Sequence, residues 1–180
     1  MIALGSKALH IERTFQAPAE RVFDAWTSEE VMRRWWQAEA GWETSEAEVD
    51  LRVGGAVRVV MRDPAKDAEH GGGGRYTEIE PPTRLAFTWI WDGDTRRTLI
   101  EIDFEEIDGA TTVRFTQSGL WDEQAVRSHK GGWGRILDNL KRELEAPAPE
   151  DQRLEETRSL SGDATRDASS VLGAVTQKGL

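Results

Sequence analysis

The spacing of apolar residues divides the chain into short segments of changing period. Leu9, Ile11 and Phe15 alternate with His10, Glu12 and Thr14, which predicts a strand over 8–15, with Arg13 interrupting its apolar face. Ala17-Pro18-Ala19 opens a helix, with Pro18 suited to its first turn and Val22, Phe23 and Trp26 on one side. Ser28 is an N-cap for a second short helix; Glu29 and Glu30 suit its positive end, and Val31, Met32, Trp35 and Trp36 form its apolar side. From residue 43 the period becomes two. Ser45, Ala47, Val49 and Leu51 alternate with Thr44, Glu46, Glu48 and Asp50, and Gly54-Gly55 reads as a turn into a strand carrying Val57, Val59 and Met61. Asp63 to Gly74 reads as a glycine-rich loop, followed by a strand over 75–80 that ends at Pro81-Pro82. Leu85, Phe87, Trp89 and Trp91 make the heaviest apolar face in the chain. Ile100, Ile102 and Phe104 mark the next strand, Asp108-Gly109 a hairpin turn, and Val113 and Phe115 the seventh strand. Val126, His129, Trp133, Leu137, Leu140 and Leu144 then recur every three or four residues, which predicts one long amphipathic helix over 122–145.

The order is strand, two short helices, six strands, long helix. Strands joined by short turns imply an antiparallel sheet, and the long helix is the element large enough to cover its apolar face, so the fold class is α+β. After Leu144 the composition shifts. Ala146-Pro147-Ala148-Pro149 resembles a stiff linker, and residues 150–180 hold no aromatic residue and too few apolar ones for a core. The expected organisation is a folded domain over 1–145 and a polar, flexible extension over 146–180.

Composition adds one strong signal. Eight tryptophans lie between residues 26 and 133, and none follows. Tryptophans in such number either fill a core or line an apolar cavity, and a buried indole N–H needs a partner. With 23 basic and 33 acidic residues the net charge is −10, which opposes non-specific binding to nucleic acid or an anionic membrane. The absence of cysteine removes disulfides, thiolate zinc sites and cysteine nucleophiles, and fits a reducing compartment. No stretch approaches the ~20 apolar residues of a membrane span, and the N-terminus lacks a signal-like apolar run. A cytoplasmic protein is expected.

Several motifs invite chemistry. Gly71-Gly72-Gly73-Gly74 precedes a strand pattern and lacks the Gly-Lys-Ser/Thr of a phosphate loop, so a flexible hairpin loop is expected. Gly131, Gly132 and Gly134 each cost about 1 kcal/mol relative to alanine inside a helix; the offset is either close approach to the sheet or room for a ligand. His129 falls on the face of Trp133. His10 and His70 show no metal-ligand spacing, and Asp67, Glu69 and His70 form at most a weak loop site, so neither metal nor cofactor is expected. Glu46, Glu48 and Asp50, and likewise Glu101, Asp103 and Glu105, alternate with apolar residues and are assigned to a solvated sheet face. Glu78 is the better acid–base candidate, although parity leaves its face open. No Ser–His–Asp order or nucleophile elbow is present.

Ala17-Pro18-Ala19-Glu20-Arg21-Val22-Phe23, Trp35-Trp36, and Asp50-Leu51-Arg52-Val53-Gly54-Gly55 form an ordered set of motifs. It continues with Tyr76, Glu78-Ile79, Pro82, Arg84-Leu85, Thr88, Gly109, Thr111-Thr112, Gly132-Trp133 and Leu140. Over residues 8–145 this set resembles the branch of the START-like, helix-grip (SRPBCC) superfamily named after the activator of heat-shock protein 90 ATPase. Where that family often places Gly-Pro after its tryptophan pair, Gln37-Ala38 stand here. The resemblance implies a curved antiparallel sheet of about seven strands gripping the C-terminal helix, an apolar cavity between them, and a bacterial protein. It implies no universal chemistry. The cavity is expected to bind a hydrophobic small molecule, with Trp35, Trp36, Met61, Phe87, Trp89, Trp91, Phe104, His129 and Trp133 as lining and His129 and Tyr76 orienting a polar group. Two other functions fit the same fold: a protein-interaction module of the chaperone-activating kind, or a cyclase- or hydrolase-type enzyme using His129 or Glu78. Monomer and homodimer are both compatible with the sequence.

Overall fold

The computed structural model describes residues 5–146, and the expected extension from Pro147 onward lies outside the described residues. The element order is β1 (Lys7–Phe15), α1 (Ala19–Thr27), α2 (Glu29–Trp35), β2 (Glu43–Val49), β3 (Ala56–Asp63), β4 (Ala68–Glu80), β5 (Arg84–Trp91), β6 (Thr98–Ile107), β7 (Ala110–Leu120) and α3 (Glu123–Glu145). All seven strands form one curved antiparallel sheet in the order β1-β7-β6-β5-β4-β3-β2. The two short helices carry the chain from one sheet edge to the other, and α3 packs on the same face. Among the described residues no helix is long and apolar enough to cross a membrane.

Local chemistry explains the boundaries. Pro18 sits at the N-cap of α1 rather than within it, with φ −65° and ψ 153°. It offers no side-chain cap, and the Glu106 carboxylate of β6 accepts from Ala19 N at 2.7 Å instead. Ser28 accepts from Val31 N at the start of α2, which has Glu29 and Glu30 in its first turn and Arg33 and Arg34 in its last, as the helix dipole favours. Asp108 and Gly109 take φ values of 53° and 78°, the left-handed pair that a two-residue hairpin requires.

Helix side chains cover both sheet edges. On β2, Glu29 accepts from Val49 N at 2.9 Å and Arg33 donates to the Ala47 carbonyl at 3.4 Å. On β1, Lys141 donates to the Thr14 carbonyl at 3.1 Å. Backbone groups that could pair with another strand are therefore partly engaged.

The glycine tetrad departs from expectation. It is no flexible loop: Gly71 to Gly74 lie within β4, paired with Val60 to Val57 of β3, and Gly72 faces Trp91 of β5. A Cβ on Gly72 would come within 2.7 Å of the Trp89 ring. The bare strand thus makes the flat bed on which the indole lies, a packing role that composition alone does not distinguish from a loop.

The core lies between the sheet's inner face and the three helices. Leu9, Ile11, Phe15, Val57, Val59, Leu85, Phe87, Ile100, Ile102, Val113 and Phe115 are buried on the sheet side, against Ile136, Leu137, Leu140 and Leu144 of α3. Trp26 is its aromatic hub, with ring centroids 4.8 Å from Trp35, 5.5 Å from Trp36 and 6.2 Å from both Phe115 and Trp133. The outer face is charged. Arg84 binds Glu78, Glu101 and Asp103 at 2.7–2.8 Å, and Arg114 binds Glu105 at 2.7 Å and Glu12 at 3.3 Å.

Two glycine substitutions should have opposite signs in urea denaturation. Gly72→Ala should cost about 1–3 kcal/mol through collision with Trp89. Gly131→Ala, whose Cβ meets nothing within 4 Å, should stabilise by about 0.5–1 kcal/mol.

Candidate functional site

A cleft of about 270 Å³ lies between α3 and the β3–β5 part of the sheet, near the lower end of the ~300–1,000 Å³ typical of small-ligand sites. Trp36 at the end of α2, Ala38 and Glu39 after it, and Trp42 just before β2 form one wall. Met61, His70, Trp89 and Trp91 come from β3, β4 and β5. Ser128, His129, Gly132, Trp133 and Ile136 come from α3. Five of the eight tryptophans therefore surround one cavity. Trp36 stacks on Trp89 at 5.7 Å, Trp36 meets Trp133 edge-on at 5.2 Å, and Trp89 meets Trp91 edge-on at 5.5 Å. At the rim, Trp42 lies parallel to the His70 ring, with centroids 4.6 Å apart.

Two polar links hold α3 over this cavity. Trp133 Nε1 donates to Gln117 Oε1 at 2.8 Å, Gln117 Nε2 donates to Thr98 Oγ1 at 3.0 Å, and Thr98 Oγ1 donates to the Trp89 carbonyl at 3.2 Å. Gln117 and Thr98 are buried, so this chain ties α3 to β7, β6 and β5 where water does not compete. Nearer the helix start, Trp91 Nε1 donates to His129 Nε2 at 3.1 Å, while His129 Nδ1 lies 2.8 Å from the Ala125 carbonyl. An acceptor role for Nε2 places the proton on Nδ1, so both ring nitrogens are occupied by a neutral imidazole. Burial pushes the His129 pKa below its ordinary 6.5, aided by nearby Arg96 and opposed by the Ala125 hydrogen bond and Asp94. Trp121 meets His129 edge-on at 5.6 Å, and the Arg96 guanidinium lies 3.6 Å over the Trp121 ring. A second, polar hollow of about 310 Å³ shares His70 and Trp91 as walls; in it Arg58 binds Asp92 at 2.8 Å and holds that carboxyl below its ordinary range.

The sequence profile described as "Activator of Hsp90 ATPase homolog 1-like protein" matches residues 16–145. The chain belongs to this family. The AHSA1-like protein from Aeromonas hydrophila is 30% identical, covering 78% of this chain and 93% of that one with a TM-score of 0.69. A protein from Chromobacterium violaceum is 26% identical, covering 78% and 99% respectively with a TM-score of 0.71. A protein from Rhizobium leguminosarum is 30% identical, covering 78% and 95% with a TM-score of 0.66. No curated protein matches. The seven-stranded sheet and long C-terminal helix are those of the START-like helix-grip fold.

Within this Activator of Hsp90 ATPase homolog 1-like domain, the residues expected at the cavity separate into two groups. Trp36, Met61, Trp89, Trp91, His129 and Trp133 line it. Trp35, Tyr76, Phe87 and Phe104 do not, which corrects the expected lining. Trp35 is fully buried and donates to the Ala25 carbonyl at 3.1 Å, and Phe104 packs on Phe23 at 5.5 Å. Tyr76 and Phe87 meet edge-on at 5.8 Å inside the core. The Tyr76 hydroxyl has no hydrogen-bond partner, and burial raises its pKa, so it orients nothing in the cleft. Glu78 is held by Arg84 on the opposite sheet face, which removes it as an acid–base group for this cavity. Asp67 pairs with Arg62 at 2.7 Å while His70 stacks on Trp42, and among the described residues no His, Asp and Glu cluster is arranged to hold a metal.

Trp42 and His70 were missed as lining residues. Residues 63–74 read as a loop, so His70 had no assignable face; its pairing opposite Met61 places it on the inner one. The helix glycines favour the cavity over close approach. A Cβ on Gly131 or Gly134 meets nothing within 4 Å, and one on Gly132, in the cavity wall, meets only the Ala38 Cβ at 3.6 Å. Gln37, standing where the family often has glycine, donates to Thr44 Oγ1 at 2.8 Å and accepts from Asn139 at its carbonyl at 3.0 Å, closing that end by hydrogen bonds.

His129 gives the domain a pH signature. Because its folded-state pKa lies below 6.5, the unfolded chain binds more protons in the window between the two values. Stability is full above the unfolded value and falls as the pH drops through it. The urea midpoint should therefore decline between pH 7.5 and 5.5 by more in the wild type than in His129→Gln, which keeps an acceptor for Trp91 and does not titrate. A second check concerns the buried chain: Gln117→Leu should cost about 1–3 kcal/mol by orphaning the Trp133 donor.

Proposed function

We propose that this protein binds a small hydrophobic molecule in the cleft between α3 and the sheet. The observation that carries this reading is the placement of five tryptophans around one 270 Å³ space. Filling that volume with side chains would have stabilised the fold, since interiors otherwise pack to the density of organic crystals. Gly132 instead keeps the helix side of the space open at a cost of about 1 kcal/mol in helix propensity. The wall is held rigidly: Trp133 is fixed by Gln117, and Trp91 by His129. A rigid aromatic site loses little entropy on binding, which favours affinity for an apolar guest of modest size.

Tryptophan emission reports on such a site directly, because five of the eight fluorophores line it. Titration with neutral aromatic probes such as N-phenyl-1-naphthylamine should give saturable quenching or energy transfer. Gly132→Leu fills the space from the helix side and should weaken binding about tenfold or more, ~1.4 kcal/mol, with unchanged circular dichroism. Saturable binding that is indifferent to Gly132→Leu would place the guest elsewhere and sink the proposal.

A further inference from the structure

The chemistry of the cavity wall narrows the class of guest. No lysine or arginine lines it, and its one carboxylate is Glu39, at the rim. Two of the five indole donors are spent inside the protein, Trp133 on Gln117 and Trp91 on His129. The Trp89 Nε1 is itself buried, without a partner. The space is thus walled by ring faces and edges and offers neither a cationic partner nor these N–H groups to an anion. A carboxylate or phosphate entering it would lose hydration with no lysine or arginine in the wall to offset its charge.

A cation faces the reverse situation. Indole has the strongest attraction for a cation among the aromatic side chains, and compact alkylammonium groups shed water readily enough to lie against several rings at once. Trp36 and Trp42 from the segment joining α2 to β2, Trp89 and Trp91 from β5, and Trp133 from α3 supply those rings, so the arrangement exists only once the chain is folded. The net charge of −10 adds a long-range field of the favourable sign. Glu39 is the local counter-charge, and Arg135 competes for it at 3.1 Å from a half-exposed position on α3.

We infer that the cavity takes a small molecule bearing a tertiary or quaternary ammonium group, seated against the indoles with its charge toward Glu39. This inference rests on the small-molecule reading of the same cleft and specifies its ligand class.

The test compares shape with charge. Choline and 3,3-dimethylbutan-1-ol have nearly the same shape, and only the first is charged. Each is used to displace N-phenyl-1-naphthylamine from the full chain at pH 8 and low salt. Choline should displace the probe at a concentration about 2- to 30-fold lower than the alcohol. Glu39→Gln should shrink that ratio, and Arg135→Ala, which frees the carboxylate, should enlarge it. Trp42→Leu at the rim should weaken choline more than the alcohol. Equal displacement by both compounds, or preference for the alcohol, overturns the ammonium inference and leaves the small-molecule reading standing. Failure of the neutral probe itself to bind, together with both compounds, removes that reading as well.

Discussion

The buried chain from Trp133 through Gln117 and Thr98 to the Trp89 carbonyl is the constraint on which the rest of the structure turns. A helix lying on an apolar sheet face can slide and rotate at small cost, because burial is non-directional. A hydrogen bond made away from water is directional, and breaking it leaves a donor and an acceptor unsatisfied. Here one amide side chain joins the only long helix among the described elements to three strands. It fixes the rotation of α3, and with it the positions of His129, Gly132 and Ile136 on the same face of the helix. The cavity wall follows from that rotation.

The floor of the cavity depends on a second requirement, which is space. Trp89 is large and fully buried, and its ring lies over Gly72 where any Cβ would intrude. Three consecutive tryptophan contacts, Trp133 to Trp36 to Trp89 to Trp91, then run along the wall with centroid separations of 5.2–5.7 Å. Glycine in β4 weakens the strand by itself, and the aromatic ring packed on it supplies the missing contact area. The unpartnered Nε1 atoms of Trp26 and Trp89 are the cost of this density of indoles, since each ring brings a donor that the apolar interior does not serve.

Outside the core the charges are organised differently. Arg84 and Arg114 each bridge carboxylates on neighbouring strands of the outer face, and Arg58 joins Glu46 of β2 to Asp92 just beyond β5. Such pairs contribute little each when partly solvated. They nonetheless occupy Glu78, Glu101, Asp103 and Glu105, which separates the acidic surface from the neutral, aromatic interior. The division leaves Glu39 and two histidines as the titratable side chains in the cavity wall.

Much of the fold was legible in the sequence because it follows from local periodicity. Alternation over β1, β2, β3, β5, β6 and β7, the Asp108-Gly109 turn, the Ser28 cap and the three-to-four spacing of α3 each depend on residues close together in the chain. The order of motifs from Ala17 to Leu140 also identified the family, and with it the sheet gripping a helix. Tertiary structure alone decided the rest. The strand expected over 75–80 is the second half of β4; its first half was hidden because Gly71 to Gly74 carry no side chains from which to read a period, and their pairing with Val60 to Val57 exists only across the sheet. Tyr76, Phe87 and Phe104 share the inner face with Trp89, yet which inner-face residues meet a cavity and which meet a helix depends on where α1, α2 and α3 lie. Trp42 and His70 reached the cavity by the same route, through a parallel contact between residues 28 positions apart. Where a period could be read, the sequence by itself set which side chains face inward, because that is a property of a strand or a helix; Glu78 and His70, beside the bulge and the glycines of β4, were not among them. Which of them enclose empty space was set by the packing of elements distant in sequence, because a cavity is a relation among several surfaces and belongs to none of them alone.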